Sequence, residues 1–291
     1  MAIQKHIALL LQLFFVALVF DIANGYPLKL GFYQKTCPRA KAIVKRTTAN
    51  YIYRAPSLVA ALLRMQLHDC FVRGCDGSVL INFTRKNQAE KDGIPNLSLR
   101  GFQIIDAAKT VVEAACPGVV SCADILSLVA RDAIHQIKGP YWPVPLGRRD
   151  GRVSIASESF TLPAPFANIT QLKAQFVSKG LILKDLAVLS GGHAIGISHC
   201  STIATRLYNF TGSSKTFDDD YYSVVLKRRG LFQSDAALLN DKTASAYVKL
   251  QAKSHGYTFF KDFQASMVKM GQIGVLTGKA GEIRRHCALI N

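Results

Sequence analysis

What the sequence lacks narrows the field first. It has no His-Glu-x-x-His, no paired Cys-x-x-Cys and no Gly-x-Ser-x-Gly, so hydrolase chemistry has none of its usual motifs. It shows no internal repeat and no low-complexity tract, which excludes solenoids, propellers and tandem arrays. Alternating apolar and polar runs are scarce, which argues against a β-rich fold. Acidic residues are few, with 19 Asp and Glu against 36 Lys and Arg, for a net charge of +17. The basic residues are scattered rather than gathered into a nucleic-acid reading motif, so nucleic acid is not expected as a partner. After the first 20 residues no apolar run approaches membrane length.

What is present describes an exported globular chain. Of its 291 residues, 49% are hydrophobic and 19% charged, a globular balance with enough chain for a sizeable core. Lys5 and His6 precede the apolar run Ile7 to Phe20, and Ala23-Asn24-Gly25 offers small residues for cleavage. That is the form of a secretory signal peptide over residues 1–25 and is short for an uncleaved anchor, so the mature chain is expected from Tyr26, without a membrane segment. Seven cysteines suit an oxidising compartment, and one must be left over if the rest pair. Asn82-Phe83-Thr84, Asn168-Ile169-Thr170 and Asn209-Phe210-Thr211 are acceptor sequences for N-glycosylation. Outside the cell a cationic surface favours anionic polymers such as acidic cell-wall polysaccharide.

The periodic segments read as helix. Val59, Leu62, Leu63, Gln66 and Leu67 recur at helical spacing after Pro56-Ser57, and Ser121 stands three residues before Asp124 as in a capping box. Gln171 to Lys179 is a short helix that Gly180 can end, Tyr221 to Lys227 precedes Gly230, and Phe259 to Met270 suits a late helix. Residues 139–165 are rich in Pro and Gly and read as loop. The chain is mainly α.

One run carries the chemistry: Arg64-Met65-Gln66-Leu67-His68-Asp69-Cys70-Phe71-Val72-Arg73-Gly74-Cys75-Asp76-Gly77-Ser78. Four residues apart on a helix, Arg64 and His68 share a face, which places a permanent cation beside a group that exchanges protons near neutral pH. Asp69, Asp76 and Ser78 offer hard oxygen ligands with carbonyls between them, which suits calcium.

That string resembles the distal-side signature of the secreted plant peroxidases, the family of horseradish peroxidase. The resemblance continues in order through Glu90, Asn96, Arg100-Gly101-Phe102, Val120-Ser121-Cys122-Ala123-Asp124, Pro145 to Asp150, Leu162-Pro163-Ala164-Pro165, Leu189 to His193 and Gln233-Ser234-Asp235. It implies a mainly α haem peroxidase fold, with haem b between a distal half (about 26–160) and a proximal half (about 161–275), and a C-terminal segment returning to the distal half. It implies His193 as axial ligand of the haem iron, with Asp235 holding its other ring nitrogen. A thioether-attached haem is argued against by the absence of Cys-x-x-Cys-His. His68 would take a proton from hydrogen peroxide and return it to the departing oxygen, while Arg64 stabilises the charge of O–O cleavage. Asn96, held by Glu90, would orient His68. Pro163 would receive the phenolic electron donors, and Asp69, Val72, Gly74, Asp76 and Ser78 would hold a distal calcium. Disulfides are implied between Cys37 and Cys116, Cys70 and Cys75, and Cys122 and Cys287. The protein is expected to act as a monomer in the extracellular space or cell wall.

The sequence departs from the family in three places. Between Arg206-Leu207-Tyr208-Asn209-Phe210 and Phe217-Asp218 it has only six residues, where the family has a few dozen. Cys200 thereby loses its expected partner and is left unpaired, either as a free thiol or as half of an intermolecular disulfide. Ala194 stands where the family has a hydroxyl ligand to a proximal calcium, which leaves Thr216 and Asp218 as remnants and predicts that this ion is absent. Leu67 replaces an aromatic residue beside the distal histidine, which widens the expected pocket. Two functions follow: a secreted peroxidase, or an inactive or haem-poor glycoprotein descended from one.

Overall fold

The computed structural model describes residues 27–85, 87–198 and 217–291. Helix α1 (Ala40–Arg54) buries Ala40, Ile43, Val44, Thr48 and Ile52 along one stripe and leaves its lysines outside. Helix α2 (Leu58–Val72) follows Pro56-Ser57 and is buried on most sides. Helix α3 (Phe102–Ala115) turns Ile104, Ile105, Ala108 and Val112 inward. The three pack around α4 (Cys122–Gln136), whose first thirteen residues are all buried. A helix enclosed in this way has no polar face to solvate its charged groups, so these must find partners. Asp124 receives Arg148, the Tyr33 hydroxyl and the Gly147 amide, and Arg131 pairs with Asp132.

The start of α4 corrects the capping expectation. Ser121 Oγ accepts from the Asp124 amide at 3.1 Å, but the Asp124 carboxylate turns away to Arg148 instead of closing the box.

The second half is built on α5 (Ile169–Ser178), α6 (Leu183–Ser190), α7 (Asp220–Leu226), the short α8 (Gln233–Ala237), α9 (Lys242–Lys253) and α10 (Phe259–Met270). Here α9 packs on α6 and α7, and α10 packs on α6. Their core is aromatic: Phe217, Tyr222, Phe259 and Phe263 meet at ring separations of 4.8–5.7 Å. Helices α1, α3, α6 and α9 lie outside the segments picked out by periodicity. Between residues 139 and 165 the chain is irregular except for a 3₁₀ stretch at Ala156–Thr161.

The chain beyond α10 runs back along the first half, which α10 itself already meets where Phe263 packs edge-on against Trp142. Gly271 O accepts from Arg148, Ile273 O from the Cys75 amide and Ala288 O from the Asn82 amide, and Cys287 is bonded to Cys122. Where it crosses the loop after α2 the two backbones touch. A Cβ on Gly74, at φ +113°, would lie 2.5 Å from the Gly274 oxygen, so only glycine fits there. Disulfides also join Cys37 to Cys116 and Cys70 to Cys75, the pairing implied by the family resemblance. No helix among the described residues is long and apolar enough to cross a membrane.

Candidate active site

Two histidines are prepared alike on the two halves. On α2, His68 is 7% exposed, and its Nδ1 lies 2.5 Å from Asn96 Oδ1. Since a carboxamide oxygen only accepts, Nδ1 carries the proton and Nε2 keeps its lone pair. Burial first, and the Arg64 guanidinium second, push the His68 pKa down to about 3 against a smaller upward pull from Asn96. The ring is therefore neutral at ordinary pH. On the 3₁₀ turn Gly191–Ala194, His193 Nδ1 lies 2.8 Å from Asp235 Oδ1, which again leaves Nε2 as a lone pair. Asp235 is buried, and it also accepts from the Tyr221 hydroxyl at 2.9 Å and, through Oδ2, from the Phe232 amide at 2.9 Å. The His193 side chain itself is 45% exposed.

The turn that carries His193 lies along α2. A Cβ on Gly192 would meet Leu63 Cδ2 at 3.3 Å, and one on Gly196 would meet the Ala60 Cβ at 2.9 Å. Ala60, Arg64 and His68 follow one another at four-residue steps, so this is the flank of α2 that presents the catalytic candidates. Arg64 is exposed and three partners hold its fork: His68 Nε2 at 3.0 Å, Ser98 Oγ at 2.8 Å and the Pro95 carbonyl at 2.7 Å. Ser98 and Pro95 are missed by motif reading, because nothing in their spacing announces a contact 31 to 34 residues away.

Asn96 is held by Glu90, but through the backbone: Asn96 Nδ2 donates to the Glu90 carbonyl at 2.8 Å. The Glu90 carboxylate instead faces the acidic loop after α2. Burial first, with Asp76 and Glu158 adding to it, pushes Glu90 up to about 8, and the neighbouring Ser78 offsets this only in part. Neither Glu90 carboxylate oxygen nor Ser78 Oγ has a hydrogen bond of normal geometry.

Asp69 completes that cluster. It accepts from the Gly77 and Val79 amides, and burial together with repulsion from Asp76 and Glu90 pushes its carboxyl well above the usual range. Burial raises Asp76 too. Three buried carboxyls and an unpartnered hydroxyl form the hard-oxygen set a calcium ion relieves. The Val72 and Gly74 carbonyls already accept hydrogen bonds, from Lys179 Nζ at 2.9 Å and the Asp76 amide at 2.7 Å, each with a second lone pair remaining. The fit is of mixed donors, since no group of three or more His, Cys, Asp and Glu among the described residues makes a metal site by itself.

The remaining expected residues are dispersed. Pro163 is half-buried in the loop after Ala156–Thr161, and that loop is fastened to α8 by the Ser234 amide on the Pro165 carbonyl, 2.9 Å away. Leu67 is half-buried beside His68. Ala194 is buried and brings no ligand, and Asp218 Oδ1 accepts from the Asp220 amide at 3.2 Å. Thr216, Cys200 and Asn209 lie outside the described residues.

Residues 44–254 match the peroxidase family model. The chain is 52% identical to peroxidase 27 of Arabidopsis thaliana over 325 aligned positions that take in the whole of both chains. It is 50% identical to peroxidase 56 of the same plant, with 94% of this chain and 93% of the relative covered. Peroxidase 1 of Oryza sativa subsp. japonica is 48% identical, with 93% and 95% covered. The first alignment is longer than the 291 residues available, so it opens gaps in this chain, as a shortened member of the family requires. These likenesses favour an enzyme over an inactive glycoprotein. The mainly helical chain with its paired histidines thus belongs to the class III plant peroxidases and has the peroxidase activity of that family.

Proposed function

We infer that the protein is a secreted haem b peroxidase that reduces hydrogen peroxide with electrons from small phenolic molecules, using His68 and Arg64 on one side of the haem and His193 on the other. The observation that supports this most directly is the matched preparation of the two rings. Each histidine places its Nδ1 against an acceptor oxygen, which reserves Nε2 as the lone-pair nitrogen. On His193 that lone pair suits the haem iron, and the Asp235 carboxylate makes the imidazole a stronger electron donor. When bound, the haem supplies the iron at which the peroxide O–O bond is broken and the oxidising equivalents are held.

The chain's own residues manage protons and charge. His68, neutral and fixed by Asn96, takes the proton of the incoming peroxide at Nε2 and returns it to the departing oxygen, which leaves as water. Arg64 occupies that lone pair here, so peroxide must displace its Nε. Ser98 and the Pro95 carbonyl keep the guanidinium close, where it balances the negative charge that develops as the O–O bond opens. Asp69, Asp76, Ser78 and the carbonyls of Val72 and Gly74 hold one calcium ion, with Glu90 beside it. The ion steadies the end of α2 next to His68. A second ion is not expected, since Ala194 offers no side-chain ligand. Phenolic donors approach the Pro163 loop. The leader directs export, and the charge of +17 favours contact with anionic wall polysaccharide for a monomeric enzyme.

The absorption spectrum of haem-loaded protein before and after stoichiometric peroxide tests this reading. A Soret band that shifts with peroxide and returns with a phenol supports it; folded protein that takes up no haem overturns it.

A further inference from the structure

Outside the histidine pair the second half carries a cavity of about 260 Å³ between the start of α5 and the region of α8, lined by Asn168, Arg228, Gln233, Ala236, Leu239 and Asn240 among others. Its lining is of two kinds. Ala236 and Leu239 give apolar contact, while Arg228, Gln233 and Asn240 give hydrogen-bonding groups. A pyranose ring is similarly divided, with C–H faces and a rim of hydroxyls. The volume is below the ~300–1,000 Å³ of a site for a drug-sized ligand, which suits a single sugar.

One wall is itself a sugar acceptor. Asn168 begins Asn168-Ile169-Thr170, and the residue is exposed. Its Oδ1 caps α5 by accepting from the Gln171 amide at 3.0 Å, while its own amide donates to Gln171 Oε1 at 2.9 Å. The carboxamide is thereby oriented, and no hydrogen bond among the described residues engages Nδ2, the atom that N-glycosylation uses. The cap needs only Oδ1, so it survives the modification. Arg228 is also unusual: it ends α7 at φ +59°, a conformation that glycine adopts more readily. Arg228 is among the residues that line the cavity.

We propose that Asn168 is N-glycosylated and that the first N-acetylglucosamine occupies this cavity, bracing α5 against α8, the helix that carries Asp235. The Nδ2 bond to the anomeric carbon forms as that carbon's bond to a lipid diphosphate carrier breaks, and one amide proton is lost. Afterwards the acetamide and hydroxyls face Arg228, Gln233 and Asn240, and a C–H face lies on Ala236 and Leu239. The inference rests on the export reading, because the acceptor meets the carrier only in the secretory pathway.

The test is secretion of the full chain, with its own leader, from a eukaryotic host that makes oligomannose glycans. Thr170→Ala removes the acceptor and spares Asn168; Thr170→Ser keeps both. Peptide mass should show glycan on Asn168 in the Ser variant only. After the glycan is trimmed to its first sugar, the Ser variant should melt several degrees above the Ala variant. In an Arg228→Ala background that gap should close. Protein recovered from the medium with bare Asn168 overturns the inference, as does a trimmed Ser variant that melts with the Ala variant. Protein that never leaves the cell overturns the export reading, and this inference falls with it.

Discussion

The two halves of this molecule secure their histidines by different means. Around His68 the chain is tied covalently and by buried charge. Cys37–Cys116, Cys70–Cys75 and Cys122–Cys287 all lie in or reach the first half, and Arg148–Asp124 and Arg284–Asp150 are buried ion pairs beneath them. Around His193 no disulfide is formed among the described residues, and one buried carboxylate with an aromatic cluster fixes the ring. Under the proposed function, the first arrangement would hold a proton-transfer group that tolerates no drift. The second would hold an open ligand to the haem iron, whose strength is tuned by one hydrogen bond. The first half should therefore respond to mutation mainly through peroxide chemistry and global stability, and the second through haem binding.

The sharpest break in that comparison is at the distal pair. His68→Ala or Arg64→Leu should lower the rate of reaction with peroxide by roughly 10²–10⁴-fold while haem stays bound; stopped-flow rates equal to the parent's would remove both residues from the mechanism. Next comes the covalent frame. Replacing Cys37 and Cys116 with alanine opens a link across 79 residues and should cost about 2–5 kcal/mol in denaturant unfolding. Loss of Cys70–Cys75, which spans five, should cost less. If the order reverses, loop closure is not what the long disulfide contributes.

On the other half, Asp235→Asn should weaken haem retention or activity by about 10–100-fold without moving the peroxide-independent melting of the first half. A variant indistinguishable from the parent in haem titration would show that the His193–Asp235 bond is incidental. The smallest effect expected is ionic. A calcium chelator should lower the stability by an amount set by free ion over Kd, about 1.4 kcal/mol at a tenfold excess, read as a lower melting temperature, and Asp69→Asn should abolish that response. Metal analysis giving two ions per chain would overturn the expectation of a single, distal site.

Much of the site was legible because it is local. Arg64, His68 and Asp69 lie on one helix, and Asp76 and Ser78 shortly after its end, so spacing alone brings them together. The link from His193 to Asp235, 42 residues on, was reached through family likeness and not from periodicity. The role of Glu90 was legible only in part. Its carbonyl and its carboxylate serve different neighbours, and a one-letter sequence does not separate the two. Helices α1 and α9 were overlooked because lysines interrupt their apolar stripes, and only the packed partner shows which face is buried.

By itself the sequence determined the helical class and supplied the candidate reacting groups, since these depend on composition and on neighbours a few residues apart. Tertiary structure alone decided what each group touches. It laid the His193 turn along the Ala60 flank of α2, anchored Arg64 on Ser98 and the Pro95 carbonyl, and crossed Gly74 with Gly274 at van der Waals contact. Such contacts join residues tens to hundreds of positions apart. They are selected by burial and by the need to satisfy every buried polar group at once, a condition that only the folded chain imposes.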